Sequence, residues 1–197
     1  MTIRIETALI DAKIATPCLV LDRAQIAKNY RNFCRKMDGM DIFYAVKANP
    51  HPDILSLLAA EDAYFDCASF QEITIVLAAG GRPSNICFGS TLKKVTDIAD
   101  AYKVGVRYFT FDAKEELQKI ADHAPGSNVC CRILTNDSGT GAQWPLSRKF
   151  GCDENMAVDL MSEAGEMGLI ASGISFHVGS QQTEPTAWQA PIAQVSR

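Results

Sequence analysis

The feature of this 197-residue chain that most limits its fold is a repeated alternation of short apolar runs with amphipathic stretches. The apolar runs are 42–46 (IFYAV), 63–66 (AYFD), 85–88 (NICF), 107–111 (RYFTF), 129–134 (VCCRIL) and 172–178 (SGISFHV). They are dense in Val, Ile, Phe, Tyr and Cys without clean polar alternation, which is the pattern of parallel strands covered on both faces. Helical patterns fill the gaps. Asp22 stands where an N-cap would open a helix over roughly 22–37. Pro52-Asp53 opens the next, Ile54, Leu55, Leu57 and Leu58 form its apolar face, and it fades near Glu61. Residues 70–79 stop at Gly80-Gly81, and 91–103, 112–123 and 153–167 repeat the theme. A helix, then strand and helix in alternation up to a sixth strand, predicts a parallel α/β sheet joined by right-handed crossovers. A doubly wound sheet and a (β/α)8 barrel both fit. A barrel typically takes about 250 residues and eight strands, so six strands mean an open sheet or a barrel that stops before it closes.

Composition narrows the partners. With 47% hydrophobic and 21% charged residues, the chain reads as an ordinary soluble globular protein. The balance of 19 basic against 23 acidic residues, without a basic stripe, argues against nucleic acid. The N-terminus, MTIRIETALIDAKIATP, is charged throughout and does not read as a signal peptide. Nowhere are there 18 consecutive apolar residues to span a membrane. The seven cysteines are odd in number and never spaced C-x-x-C, and four of them (67, 87, 130, 131) lie in apolar runs. The expectation is a reduced, cytoplasmic protein with no metal site.

The polar residues gather at one end of the strands. Lys47 ends the first run and Asp66 the second, while Gly89-Ser90 follow the third and Asp112 the fourth. Arg132 lies near the end of the fifth and His177 near the end of the sixth. In barrels and open α/β sheets the functional rim is the one at the carboxyl ends of the strands. Lys47, held atop a buried strand, would be partly desolvated and so a nucleophile toward a carbonyl; the plainer reading is a lysine snorkelling to solvent. His177 is either a hydrogen-bonded core histidine or a ligand, with Gly179-Ser180 suited to a phosphate or a planar ring. Asp66 and Arg132 either face each other across a mouth or form a structural ion pair. The segment 135–151, long and without periodicity, reads as a functional loop, in which Gly139 and Gly141 are too weak a signal for a phosphate loop.

Four motifs in order then become recognisable. Tyr44-Ala45-Val46-Lys47-Ala48-Asn49-Pro50 resembles the cofactor-lysine motif of the ornithine/diaminopimelate/arginine decarboxylase group, whose barrel is alanine-racemase-like. Phe65-Asp66-Cys67-Ala68-Ser69 with Glu72-Ile73 resembles the ornithine decarboxylase wording of the second strand. Ser147-Arg148-Lys149-Phe150-Gly151 and Ser175-Phe176-His177-Val178-Gly179-Ser180 match in order and spacing. The resemblance runs from Thr16 onward. It implies a (β/α)8 TIM-type barrel with six of eight strands present, residues 1–21 leading into it, and 22–197 forming its pyridoxal-phosphate-binding domain. The family's C-terminal β domain would be absent. By the same resemblance, Lys47 would carry pyridoxal 5'-phosphate and act catalytically, His177 would stack on its ring, and Ser180 would help bind its phosphate. Asp66 and Arg132 would shape the pocket, and Lys149 would face a partner subunit of a homodimer. The implied reaction is decarboxylation of a basic amino acid, L-ornithine to putrescine first. Diaminopimelate or lysine/ornithine decarboxylation and a non-catalytic regulatory relative are the alternatives. A chain cut after six strands is expected to be inactive and, with apolar first and sixth strands as edges, prone to aggregate.

Overall fold

The computed structural model describes residues 3–135 and 149–196. The chain opens with helix α1 (Ile3–Asp11), a feature that the sequence reading of 1–21 leaves without structure. Helix α2 (Arg23–Lys36) follows, capped as expected by the Asp22 carboxylate accepting from Gln25 N–H at 3.1 Å, a bond typically worth about 1 kcal/mol.

Strand and helix then alternate. Strand β1 (Phe43–Ala45) leads to α3 (Pro52–Ala60), β2 (Tyr64–Cys67) to α4 (Phe70–Ala78) and β3 (Ile86–Phe88) to α5 (Val95–Lys103). Strand β4 (Tyr108–Phe111) leads to α6 (Lys114–His123), β5 (Asn128–Arg132) to α7 (Glu154–Glu166), and β6 (Ile170–Ser175) is followed by α8 (Gln189–Val195). Every strand pairs in parallel with the next, in the order β1-β2-β3-β4-β5-β6. A doubly wound sheet reverses its strand order at a switch point. This sheet never does, so it is wound one way, as a barrel is. Among the described residues β1 and β6 do not meet, and the barrel is not closed.

The helices pack on one face of the sheet. Phe65, Phe88, Phe109, Phe111, Leu55, Ile73, Ile86, Ile98, Leu117 and Ile120 lie there at 1% exposure or less. The opposite, concave face carries Tyr64, Asp66, Cys87, Cys130 and Arg132, all half-buried. The strands therefore alternate by face after all. The expectation of equal cover on both faces is corrected, because helices cover one face alone and nothing described lies over the other. No described helix is long and apolar enough to cross a membrane.

Candidate functional site on the carboxyl rim

Because all six strands run in one direction, their carboxyl ends share a rim. Lys47 lies two residues past β1, on the single turn of 3-10 helix Val46–Ala48. Val46 is fully buried and anchors this turn, and the Tyr44 hydroxyl donates to the Asn49 carbonyl at 3.1 Å, closing it from the other side. Between these two fixed points Lys47 stands exposed. Strand β1 has three residues, and Lys47 leaves it on this turn instead of ending the longer run 42–46.

Asp66 projects from the concave face of β2. Its carboxyl is pushed above the usual range by burial, a rise that Lys47 and Arg132 partly offset and Glu72 adds to. The wall beside it is Gly89. A Cβ at that position would stand 1.8 Å from Asp66 Oδ1, so only the bare Cα leaves room for the carboxylate. Gly89 N–H donates to the Cys67 carbonyl at 2.9 Å and keeps that wall in register with β2. Below, Ser69 caps α4 by accepting from Glu72 N–H at 3.2 Å, and the Glu72 side chain reaches back to Ala68 N–H at 2.6 Å. This is close to a capping box, and it fixes the chain directly after Asp66.

Arg132 closes β5. Burial lowers its pKa, while Asp112 and Asp66 pull the other way. Its Nε is buried without a hydrogen-bond partner among the described residues, and its guanidinium carbon lies 5.5 Å from the centre of the Phe150 ring. No ion pair within 4 Å joins it to Asp66 among the described residues, so of the two readings of these residues the direct pair is not the one observed. Asp112, just past β4, accepts from Gly151 N–H at 2.8 Å. Gly151 has φ +109°, and a Cβ there would lie 2.6 Å from the Ile133 carbonyl carbon. The chain thus re-enters tight against the end of β5, where Cys152 bridges Ile133. Residues Gly139, Gly141, Ser147 and Arg148 lie outside the described residues; Lys149 is exposed, with its ammonium 5.2 Å from the Phe150 ring centre.

His177 lies two residues beyond the end of β6, which finishes at Ser175, earlier than the expected 178. Its Nδ1 accepts from Gly179 N–H at 2.8 Å, so the neutral ring carries its proton on Nε2. Burial lowers its pKa, and the positive charges of Arg132 and Lys47 lower it further. Ser180 follows, half-buried. The ends of β1, β2, β5 and β6 put Lys47, Asp66, Arg132 and His177 on one rim, and the charges of Lys47 and Arg132 act on both Asp66 and His177. Sequence reasoning missed the Tyr44–Asn49 clamp and the role of Gly151. The glycine closing a long aperiodic segment was the available signal for the second of these.

A one-way β/α sheet with an amine, a carboxylate, a guanidinium and an imidazole on its carboxyl rim defines a barrel-type binding layer for a small polar molecule. Comparison with known proteins makes this specific. Residues 23–197 match the family described as pyridoxal-dependent decarboxylase, pyridoxal binding domain, and the chain belongs to that family. It is 36% identical over 192 residues to a lysine/ornithine decarboxylase of Selenomonas ruminantium, covering 98% of this chain and 48% of the relative. It is 39% identical over 169 residues to the ornithine decarboxylase of Saccharomyces cerevisiae, covering 85% of this chain and 36% of the relative. The crystal structure of the Paramecium bursaria Chlorella virus arginine decarboxylase superposes with a TM-score of 0.91 at 30% identity, covering 99% of this chain and 53% of that one. The chain spans about half the length of these relatives or less, and the part it spans has the fold of their barrel.

Proposed function

We propose that this chain is the cofactor-binding layer of a pyridoxal-phosphate-dependent decarboxylase of basic amino acids, with L-ornithine as first substrate and putrescine, a polyamine precursor, as product. Residues 1–21 lead into that layer and 22–197 form it. The observation that carries the reading is the convergence of Lys47, Asp66, Arg132 and His177 on one rim, in a chain whose family is pyridoxal-binding. The close relation to ornithine and lysine/ornithine decarboxylases supports the substrate class.

The residues present fit the cofactor. Arg132 offers a buried Nε–H that has no partner among the described residues, a donor suited to an acceptor on the cofactor. Lys47 presents an accessible amine for the aldehyde carbon. The His177 ring, fixed in orientation by Gly179 and kept neutral by burial and two nearby cations, suits contact with a flat heteroaromatic ring. Ser180 adds a hydroxyl for the phosphate, and Asp66 supplies the negative wall between Lys47 and Arg132. When bound, the cofactor supplies an electron sink for the pair left at Cα as the carboxylate departs as CO2. The chain's own residues bind and orient. Lys47 would hold the cofactor aldehyde through its accessible amine, and Asp66 would line the pocket on the same rim.

A cytoplasmic homodimer, with Lys149 toward the partner, completes the proposal. The test is CO2 release from carboxyl-labelled ornithine, lysine and diaminopimelate by the complete protein, with Lys47→Ala as control. Release from ornithine above the other two, abolished in the variant, is the expected result. Release only from diaminopimelate would reassign the substrate, and no release from any of them with no bound cofactor would favour a regulatory relative.

A further inference from the structure

Lys93 lies outside every motif above, yet its side chain is completely buried. Its ammonium donates to the Ser90 carbonyl at 2.8 Å and the Thr110 carbonyl at 2.6 Å. It also stands 2.9 Å from Glu116 Oε1, an ion pair without hydrogen-bond alignment. The other Glu116 oxygen pairs with Lys119 Nζ at 2.5 Å, and that amine donates to the Lys93 carbonyl at 2.6 Å. Burial lowers the pKa of Lys93 and the Glu116 carboxylate works against this.

Stability alone does not account for such a cluster, since a buried ion pair replaced by apolar groups of similar volume is often neutral or stabilising. Its mechanical consequence is specific. Strand β3 ends at Phe88, and the chain turns through Gly89 and Ser90 before α5 begins at Val95. Lys93 hooks that turn, through the Ser90 carbonyl, to Thr110 in β4 and Glu116 in α6. The residue beside the hook is Gly89, whose Cα forms the wall against the Asp66 carboxylate. A turn released from Thr110 would move that wall, and Asp66 with it.

We propose that Lys93, braced by Glu116, is a positioning residue for Asp66: by tying the Gly89–Ser90 turn to β4 and α6 it sets where the carboxylate lies relative to Lys47 and Arg132. This rests on the cofactor reading of the rim. The test uses the complete protein carrying Lys93→Met with Glu116→Leu, which removes the hook and both buried charges together. Thermal melting, the pyridoxal phosphate dissociation constant and the visible circular dichroism of the bound cofactor are measured. Ile98→Val, a mild core change away from the rim, serves as the control for general destabilisation.

The expected result is a folded variant with cofactor affinity lowered roughly tenfold, the scale seen when a group that orients a ligand-binding side chain is removed. Its dichroic band should be altered, while Ile98→Val keeps both values of the parent. A folded double variant with parental affinity and band overturns the proposal. Should it fail to fold, Lys93→Met with Glu116→Gln, which keeps an acceptor for Lys119, is read the same way. If neither folds, the cluster serves the fold alone and the proposal is likewise overturned. A parent that binds no pyridoxal phosphate overturns the cofactor reading, and this inference with it; that outcome is distinguished by appearing before any substitution is made.

Discussion

The two faces of the sheet differ more than any two stretches of its sequence. Phe65 and Asp66 are neighbours in β2, and Cys131 and Arg132 are neighbours in β5. Phe65 and Cys131 are sealed under helices, whereas Asp66 and Arg132 point to the concave side. On the helix-covered face of β2 to β5 burial is complete and the residues are apolar. On the concave face burial is partial except at Thr110, and burial there raises the pKa of Asp66 and lowers that of Arg132. One face stores the stability and the other is left free for chemistry. The same pleat separates them, since successive side chains in a strand point to opposite sides.

The largest test of that division is Phe65→Ala, which empties a fully buried site. It should cost about 3–5 kcal/mol, against less than half of that for Phe43→Ala on edge strand β1, where the ring is 40% exposed. Denaturant titration of both variants decides it, and equal losses would break the comparison. Next comes Gly151→Ala, which forces a side chain into a left-handed position and against the backbone of Ile133. A loss of about 1–3 kcal/mol is expected, with faster amide exchange at Cys152, whose N–H donates to the Arg132 carbonyl.

The adjacent thiols Cys130 and Cys131 sharpen the comparison without any substitution. Burial raises both pKa values, but Cys130 faces the concave side and Cys131 the helices. A small thiol reagent, followed by peptide mapping, should therefore modify Cys130 first; the reverse order would contradict the face assignment. The smallest effect is electrostatic. His177 should titrate below its ordinary 6.5. A histidine whose pKa is depressed in the folded state contributes stability that is present above pH 6.5 and lost as pH falls through the folded value. Arg132→Met removes one of the two cations holding it down, so its NMR midpoint should rise, though not fully, because burial is the larger cause. A midpoint unmoved by that substitution would separate Arg132 from the site.

Much of this was legible from the chain. Apolar runs bounded by helical patterns located all six strands within about three residues, because side-chain burial dictates composition wherever a strand is packed. Asp22 and Pro52 marked helix starts because capping chemistry is local. The structured parts that went unread depend on distant partners. Helix α1 has five apolar residues in nine, but none of residues 5–11 is buried against the rest of the chain. The start of α5 slipped from 91 to Val95 because Lys93 holds the intervening turn, and its partners Thr110 and Glu116 are 17 and 23 positions away. His177 was expected inside a strand because its apolar neighbours continue past the point at which β5 and β6 stop pairing, at Ser175.

By itself the sequence determined the strand-and-helix order, the parallel sheet and the identity of the polar residues at the strand ends, since periodicity and end chemistry are short-range properties. The one-way winding of the sheet followed from the family motifs but not from periodicity, and only the tertiary structure decided that Lys47 stands exposed while Asp66 is half-buried, and that Gly89 makes room for that carboxylate. Those facts follow from which strands have neighbours and which face the helices cover, and no local stretch of chain contains that information.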